Sequence, residues 1–229
     1  MTKRIRIGIL GCGAIGSELA RILDRRFFSF CEIACLCDLD VRRAKRLGRS
    51  LRKSRPRLCS PRAMITRCDF LIEAASPRAA SQYVAAALRK NKSVLAMSVG
   101  GLVGDRRLPG LARRSRGRLY LPSGAIAGVD GLLAARMAKI KRVVLTTRKP
   151  PRALAGAPYF TTRKIDLAKI RKETLIFRGP ASSALKHFPQ NINVAGLLSL
   201  AGVGPRRTEV RIYASPSLRK NIHEVLVEG

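Results

Sequence analysis

The chain has 229 residues, which fits one large domain or two small ones. With 46% hydrophobic and 26% charged residues, its composition is that of a globular protein and excludes a disordered chain. Lys and Arg number 46 against 14 Asp and Glu, a formal net charge of +32, so pairing with acids cannot account for most of the cations.

The cations are spread over the whole sequence and are densest in two places. From Arg42 to Arg57, nine of sixteen residues are Lys or Arg, and Arg113–Arg118 holds four more. Neither stretch carries aromatic residues that would stack on bases, and neither fits a helix-turn-helix or zinc-finger pattern. We therefore expect nonspecific binding of polyanions rather than specific nucleic-acid recognition.

Features of a secreted or membrane protein are missing from the sequence. The N-terminal residues MTKRIRIGIL hold no long apolar core before a cleavage site, so no leader is expected. No apolar stretch reaches the length of a membrane span. The six cysteines all lie in the first third and form no CxxC pair, which favours a reducing, cytoplasmic compartment.

Three of the cysteines, Cys31, Cys35 and Cys37, fall in a predicted strand. Alternate residues of a strand point the same way, so the three would share one face, and metal binding is one interpretation. Because no Cys or His partner set accompanies them, we expect small core residues and predict no metal site.

The first half of the sequence alternates between strand and helix patterns. Residues 4–10 alternate and then become apolar, as in the first strand of a buried parallel sheet. The further predicted elements are a helix after Gly16, a strand over 32–38, a basic helix to about Lys53, a strand over 69–75, a helix from Ser76 to about Lys90, and strands over 93–97 and 118–121. This order predicts a doubly wound α/β sheet.

The pattern changes at about Ser123, where small residues lead into a helix near Asp130. The elements predicted after it are a strand over 141–148, a loop over 150–173, a strand over 174–178, helices over 180–187 and 191–201, and strands over 208–214 and 222–228. We therefore predict two domains, a doubly wound one over 1–122 and a smaller α+β one over 123–229.

A glycine loop, GCGAIG, joins the first predicted strand to the first helix, and Asp38 ends the second strand 27 residues after Gly11. This is the context of a Rossmann dinucleotide site, in which the glycines allow a tight turn, approach of the pyrophosphate and close helix packing. The predicted cofactor contacts here are Gly11, Gly13, Ala14, Ile15, Gly16 and Asp38. Asp38 would accept the ribose hydroxyls of NAD, while Arg42 and Arg43 could hold the 2′-phosphate of NADP.

Beyond the loop, several longer motifs resemble those of the L-aspartate dehydrogenase family, and the resemblance covers essentially the whole chain. The motifs that carry it are GCGAIG at 11–16, EAAS at 73–76, MSVG at 97–100, SGAIAGVDGL at 123–132, LTTRKPP at 145–151, FPQNINVAGLLSLAGVGP at 188–205 and NIHEVLVEG at 221–229.

The resemblance implies a Rossmann domain with an α+β domain, a homodimer, and NAD- or NADP-dependent oxidation of L-aspartate to iminoaspartate, which hydrolyses to oxaloacetate and ammonia. It also implies a possible role in pyridine nucleotide biosynthesis. Family members continue beyond the NIHE strand with a further strand and a helix, whereas this sequence stops at Gly229. An incomplete or inactive copy is therefore one expectation.

Proton transfer in such a reaction suits a histidine, and the sequence has only two, His187 and His223. His187 falls at a predicted helix end, where a charge favourable to the helix is the ordinary role. His223 lies in the NIHE motif, and the resemblance makes it the catalytic residue.

Further contacts follow from position and from the resemblance. Ala75 and Ser76 end the third predicted strand, at the carboxyl edge where ligands bind in such sheets. The resemblance places Ala127 and one of Asn191 and Asn193 on the cofactor, although an N-cap is the ordinary role of such an Asn.

The two carboxylates of aspartate need cations, and Arg148 and Lys149 are candidates by position alone. Two other hypotheses keep the fold. The chain could oxidise another amino or imino acid, or it could be an inactive dinucleotide-binding protein whose basic surface binds polyanions.

Overall fold

The computed structural model describes residues 3–163, 165–188 and 193–229. The chain folds as two compact units, Met1–Pro122 and Ser123–Gly229. Both combine helices with a sheet, and the predicted fold class, a Rossmann domain with an α+β domain, is confirmed.

The first unit is a six-stranded parallel sheet flanked by helices. Its strands are β1 (Ile5–Leu10), β2 (Cys31–Cys37), β3 (Arg57–Leu58), β4 (Phe70–Glu73), β5 (Ser93–Ala96) and β6 (Leu119–Tyr120). Its helices are α1 (Ala14–Arg26), α2 (Val41–Ser50), α3 (Pro61–Arg67), α4 (Pro77–Arg89) and α5 (Leu108–Arg114). The strand order β3-β2-β1-β4-β5-β6 reverses between β1 and β4, and ligands of doubly wound sheets bind at the carboxyl ends of the strands beside such a reversal.

Each face of this sheet carries its own apolar core. Ile9 and Leu36 of the strands pack with Ala20 of α1 and Leu47 of α2 on one face. On the other face, Leu71 and Val94 pack with residues of α3, α4 and α5. Because both faces are covered, the central strands are nearly continuously apolar, which is the pattern that predicted them.

Helix α2 ends at Ser50 rather than near Lys53, because the buried carboxylate of Asp24 draws the following backbone into a turn. The amides of Arg52 and Ser54 donate to Asp24 over 2.7 and 2.6 Å, and that of Lys53 donates to the same carboxylate. These N–H groups bond to a side chain in place of helix carbonyls, so the helix cannot continue.

A bulge in β2 overturns the prediction that Cys31, Cys35 and Cys37 share a face. Ile7 of β1 pairs with Ile33, but the next residue, Gly8, pairs with Cys35, so β2 holds one extra residue. The extra residue reverses the alternation. Cys31 belongs to the core against α1 and α2, whereas Cys35 belongs to the core against α3 and α4.

The second unit is a four-stranded mixed sheet with helices. Its strands are β7 (Arg142–Lys149), β8 (Thr174–Pro180), β9 (Thr208–Ala214) and β10 (Ile222–Glu228), in the order β10-β7-β9-β8. Its helices are α6 (Val129–Ala135), α7 (Pro158–Arg163), α8 (Ala181–His187) and α9 (Asn193–Ala201). Strands β7 and β9 are parallel, and β8 and β10 run antiparallel to them at the two edges.

One apolar core holds the second unit together. Leu145 and Ile212 of the sheet pack with Leu132 of α6 and Leu198 of α9. Fully buried Phe188 lies at the centre of an aromatic group, with its ring centroid 5.0 Å from that of Tyr159.

Four short elements described in the first unit were not predicted: β3, α3, α5 and a 3₁₀ helix, Val99–Leu102. The predicted loop over 150–173 contains helix α7 and two short 3₁₀ helices, Pro151–Leu154 and Leu167–Lys169. Each of these is at most seven residues long, too short for a hydrophobic period to identify. Within the described ranges, no helix is long and apolar enough to cross a membrane.

Candidate functional site

Each of the three glycines in the loop between β1 and α1 has a different structural role. Gly11 has φ +97°, and a Cβ there would lie 2.5 Å from the carbonyl of Ala74. A Cβ on Gly16 would lie 1.9 Å from the Gly11 oxygen, so this glycine lets α1 pack against the loop. A Cβ on Gly13 would meet nothing within 4 Å, so the backbone there is open to a ligand.

Helix α1 begins at this loop without a side-chain cap and without an acidic residue in its first turn. Ala14 and Ile15, the first two helical residues, are exposed. The first N–H groups of a helix lack partners within the helix and carry a partial positive charge. The loop therefore presents a site for an anion such as a pyrophosphate.

Asp38 follows β2 and is fixed beside the glycine loop. One of its carboxylate oxygens accepts a hydrogen bond from the Cys12 amide (2.7 Å) and the other from the Asp40 amide (2.8 Å). A groove of about 720 Å³ lies here, lined by Gly11, Gly13, Asp38, Ala75 and Ser76 among others.

The buried carboxylate of Glu73 orders the other side of the groove, a role that the sequence analysis missed. Its Oε1 accepts from the amides of Ala75 (2.9 Å) and Ser76 (3.1 Å) and from the Ser98 hydroxyl (3.0 Å). Its Oε2 accepts from the Ser98 amide (3.1 Å). Ser76 also caps α4, since its side chain accepts from the Ala79 amide.

These features together fit a dinucleotide. The groove lies where the strand order reverses, the open backbone at Gly13 and the uncapped start of α1 suit a pyrophosphate, and Asp38 supplies a carboxylate for ribose hydroxyls. The structure brings the predicted residues Gly11, Gly13, Ala14, Ile15, Gly16, Asp38, Ala75 and Ser76 together at this edge of the sheet.

In the second unit, the predicted catalytic residue His223 lies on the edge strand β10, opposite Thr147 of β7. Its Nδ1 is 3.0 Å from the Thr147 hydroxyl oxygen, a hydrogen bond that local sequence patterns could not predict because the partners are 76 residues apart. Lys149 lies two residues further along β7, so its side chain leaves the same face as that of Thr147.

The surroundings of His223 and Lys149 lower the pKa values of both side chains. Burial and the nearby charge of Lys149 lower the pKa of His223 below its usual value. Lys149 is only 3% exposed, and burial lowers its pKa as well. An imidazole held neutral near pH 7 can accept a proton, which is the property that a general base needs.

Arg148, the other cation predicted for the substrate, points to the opposite face of β7, since it lies between Thr147 and Lys149. Its Nε donates to Glu173 over 3.1 Å, and its Nη1 donates to Glu224. The guanidinium also lies 5.5 Å from the Tyr213 ring. The structure therefore does not bring Arg148 together with His223.

The remaining predicted residues are placed as follows. Ala127 is exposed in the turn before α6, between Gly124 and Gly128, which both have positive φ. Asn193 is the first residue of α9, while Asn191 lies outside the described residues. His187 ends α8, as the sequence predicted, and its ring packs edge-on against Tyr159.

None of the six cysteines forms a disulfide. In the part of the chain that the structure describes, no three His, Cys, Asp or Glu side chains are grouped so that they could hold a metal.

Comparisons with known proteins agree with this division. Residues 11–122 match the family model described as homoserine dehydrogenase, NAD binding domain, and residues 130–229 match that described as aspartate dehydrogenase, C-terminal. An L-aspartate dehydrogenase of Methanosarcina barkeri is 43% identical over 228 residues, covering 98% of this chain and 84% of the relative. The chain belongs to the L-aspartate dehydrogenase family.

Other members of the L-aspartate dehydrogenase family and solved structures extend the comparison. The L-aspartate dehydrogenase of Bradyrhizobium diazoefficiens is 35% identical, covering 100% of this chain and 80% of the relative. The crystal structure of aspartate dehydrogenase from Thermotoga maritima matches with a TM-score of 0.74 and 26% identity, covering 99% of this chain and 85% of that one. A myo-inositol dehydrogenase from Lactobacillus casei, at TM-score 0.58 and 13% identity over 99% of this chain and 72% of that one, shares the fold alone.

Proposed function

We propose that this chain catalyses the NAD- or NADP-dependent oxidative deamination of L-aspartate. The observation that carries the proposal is the His223–Thr147 hydrogen bond beside buried Lys149, in a chain whose relatives are named L-aspartate dehydrogenase. A neutral base and a buried cation on one face of a sheet are what an α-amino dicarboxylic acid requires.

The reaction removes two electrons and two protons from the substrate. The hydrogen on Cα leaves with the bonding electron pair as a hydride, the ammonium nitrogen loses one proton, and a C=N bond forms to give protonated iminoaspartate. Water then adds to this imine and ammonia leaves, giving oxaloacetate. A bound nicotinamide would supply the acceptor for the hydride.

His223 is assigned as the general base. If Nδ1 carries the proton and donates it to the Thr147 hydroxyl oxygen, Nε2 is left as the acceptor. Nε2 would take a proton from the substrate ammonium and later from the water that attacks the imine. Thr147 is a positioning residue, because it acts by holding this tautomer and the ring orientation.

Lys149 is assigned to a substrate carboxylate. It is the one of the two predicted cations that shares a sheet face with Thr147, whereas Arg148 is already paired with Glu173 and Glu224. Lys149 is 3% exposed and burial lowers its pKa, so the negative charge of a bound substrate carboxylate would favour the charged form of Lys149. Arg148 would then stabilise the sheet through its ion pairs with Glu173 and Glu224 and would not bind the substrate.

The first unit would hold the cofactor. Gly11, Gly13, Gly16 and the first residues of α1, Ala14 and Ile15, would receive the pyrophosphate, as their open backbone supports. Asp38 would accept a ribose hydroxyl, and Ala75 and Ser76 would border the groove. The family resemblance adds Ala127, Asn191 and Asn193 as cofactor contacts.

We also propose that the protein acts as a homodimer in the cytoplasm. Edge strand β10 exposes Ile222 and Leu226 on one face, an apolar surface that a second copy could cover. Six unpaired cysteines support a reducing compartment. Light scattering after size exclusion tests the dimer, which a monomer mass at micromolar concentration would refute.

The test is formation of NADH or NADPH from L-aspartate at alkaline pH, with D-aspartate and L-glutamate as comparison substrates. We expect turnover with L-aspartate that falls by at least about a hundredfold in His223→Ala, the loss typical of a missing general base. His187→Ala is the matched control, because it removes the only other histidine. Turnover that survives in His223→Ala would refute the base assignment, and no turnover by cofactor-bound wild type would refute the proposed substrate.

A further inference from the structure

A second cavity in the first unit lies next to the dinucleotide groove and has no role in the reaction as described. Its volume is about 460 Å³, and its lining includes Gly13 and Ser17 of the loop and α1, together with three arginines: Arg21, Arg43 and Arg46. The 720 Å³ groove also includes Gly13 and Arg43 in its lining, so the two spaces adjoin at these residues.

The lining of this cavity is basic, and none of its described lining residues is acidic. The nearest carboxylates lie at its margin, where Glu18 is 3.7 Å from Arg21 and Asp40 is 3.6 Å from Arg43. Among the described residues Arg46 has no acidic partner within ion-pair distance. Three guanidiniums in one concave space attract an anion, and their planar forks match the oxygens of a phosphate.

The uncapped start of α1 adds to the same preference. Gly13 is its N-cap without a side-chain hydrogen bond, and its first turn has no acid. The Ser17 hydroxyl already donates to the Cys12 carbonyl (2.9 Å), so it is not the main donor to a ligand. Recognition therefore falls to the arginines and to the helix N–H groups.

Asp38 sets where the ribose would lie. Both of its oxygens are fixed by backbone amides, at 2.7 and 2.8 Å, and it lines the groove but not the basic cavity. Arg43 lines both spaces and Asp38 lines the groove, so a ribose bound at Asp38 would lie in a space that Arg43 borders. With the 3′-hydroxyl donating to Asp38, a phosphate on the 2′-oxygen would enter the basic cavity, where the arginines would offset the charge of Asp38.

We propose that this cavity binds the 2′-phosphate of NADP and makes NADP the preferred cofactor, with Arg21 and Arg46 as specificity residues. The inference rests on the proposed function in that it assumes a dinucleotide in the groove. The phosphate monoester is the recognised chemistry, so free inorganic phosphate is the alternative source.

The experiment measures the dissociation constants of NADPH and NADH by fluorescence at one fixed ionic strength, without aspartate. We expect NADPH to bind wild type at least about tenfold more tightly than NADH, the effect of one charged hydrogen bond. Arg46→Ala and Arg21→Ala should each reduce this ratio by about tenfold. Arg49→Ala is the matched control, because Arg49 is exposed on α2 and outside the cavity lining, and it should keep the wild-type ratio.

Equal affinities in wild type, or ratios that Arg46→Ala and Arg21→Ala leave unchanged, would overturn the inference. A second arm adds inorganic phosphate, which should weaken NADPH binding more than NADH binding. Inorganic phosphate should also raise the melting temperature of the free protein more than that of the NADPH complex. An equal rise in both samples would indicate a separate phosphate site and would also overturn the inference. These binding measurements do not use aspartate and are independent of the turnover assay. A preference for NADPH in a protein that does not turn over aspartate would refute the proposed function and leave this inference standing.

Discussion

Replacing Gly13 and Gly16 by alanine separates the cofactor-binding role of the glycine loop from its packing role. A Cβ at position 13 would meet no atom within 4 Å, and φ −73° with ψ −163° is ordinary extended backbone. Alanine gains about 0.4–1 kcal/mol by restricting the unfolded chain and loses some stability as a poorer N-cap. We therefore expect the free energy of unfolding of Gly13→Ala to stay within about 1 kcal/mol of wild type.

At position 16 the same methyl group has no room. Its Cβ would lie 1.9 Å from the Gly11 oxygen and 3.0 Å from the Gly11 carbonyl carbon, and both are backbone atoms that cannot rotate away. Helix α1 would have to move by more than an ångström. Helix propensity returns about 1 kcal/mol, but we expect the clash to dominate, with a net loss of about 3 kcal/mol or failure to fold.

The assay pairs urea unfolding with NADH titration by fluorescence. Gly13→Ala should unfold like wild type yet bind NADH at least about tenfold more weakly, because its methyl group occupies the open backbone where a pyrophosphate would approach. Gly16→Ala should lose stability first. A stable Gly13→Ala with wild-type NADH affinity would refute the placement of the pyrophosphate at Gly13.

Three further predictions concern the side chains around the two sites. Thr147→Val should lower kcat and change the pH profile, with Thr147→Ser restoring both, because only a hydroxyl can hold His223; equal activity in the valine variant would contradict this. The acid limb of the kcat/KM profile should lie below the usual histidine pKa, since burial and Lys149 lower the pKa of His223. In Lys149→Met this limb should move to higher pH, because the positive charge is removed, and KM for aspartate should rise. An unmoved limb would exclude Lys149 as a neighbour. Glu73→Gln should lower the free energy of unfolding by about 2 kcal/mol, because an amide donor would face a Ser98 donor, and an unchanged urea midpoint would show that this network is not formed.

The sequence predicted most long elements of both units, because their patterns are local. The period of two along β9 and the apolar run of β1 are visible without knowledge of their neighbours. Helix α3 was missed although Ser60 and Pro61 gave an N-cap and first-turn signal, the same one that identified α4 at Ser76.

Other features depend on contacts between distant residues and could not be predicted. The bulge in β2 appears only when β1 pairs with it, and the end of α2 depends on Asp24 of α1. The LTTRKPP motif contains two threonines, and only the pairing of β10 with β7 shows that Thr147 is the one opposite His223. The glycine loop and Asp38 were predictable because that motif is contained in one strand–helix–strand unit.

The most direct test of the proposed reaction is to follow the hydrogen on Cα of the substrate. L-aspartate deuterated at Cα is incubated with the protein and NADP, and the reduced cofactor is isolated and its mass measured. Direct hydride transfer predicts reduced cofactor one mass unit heavier than that formed from unlabelled aspartate. Reduced cofactor without deuterium, or no reduced cofactor from a protein that binds it, would contradict the account.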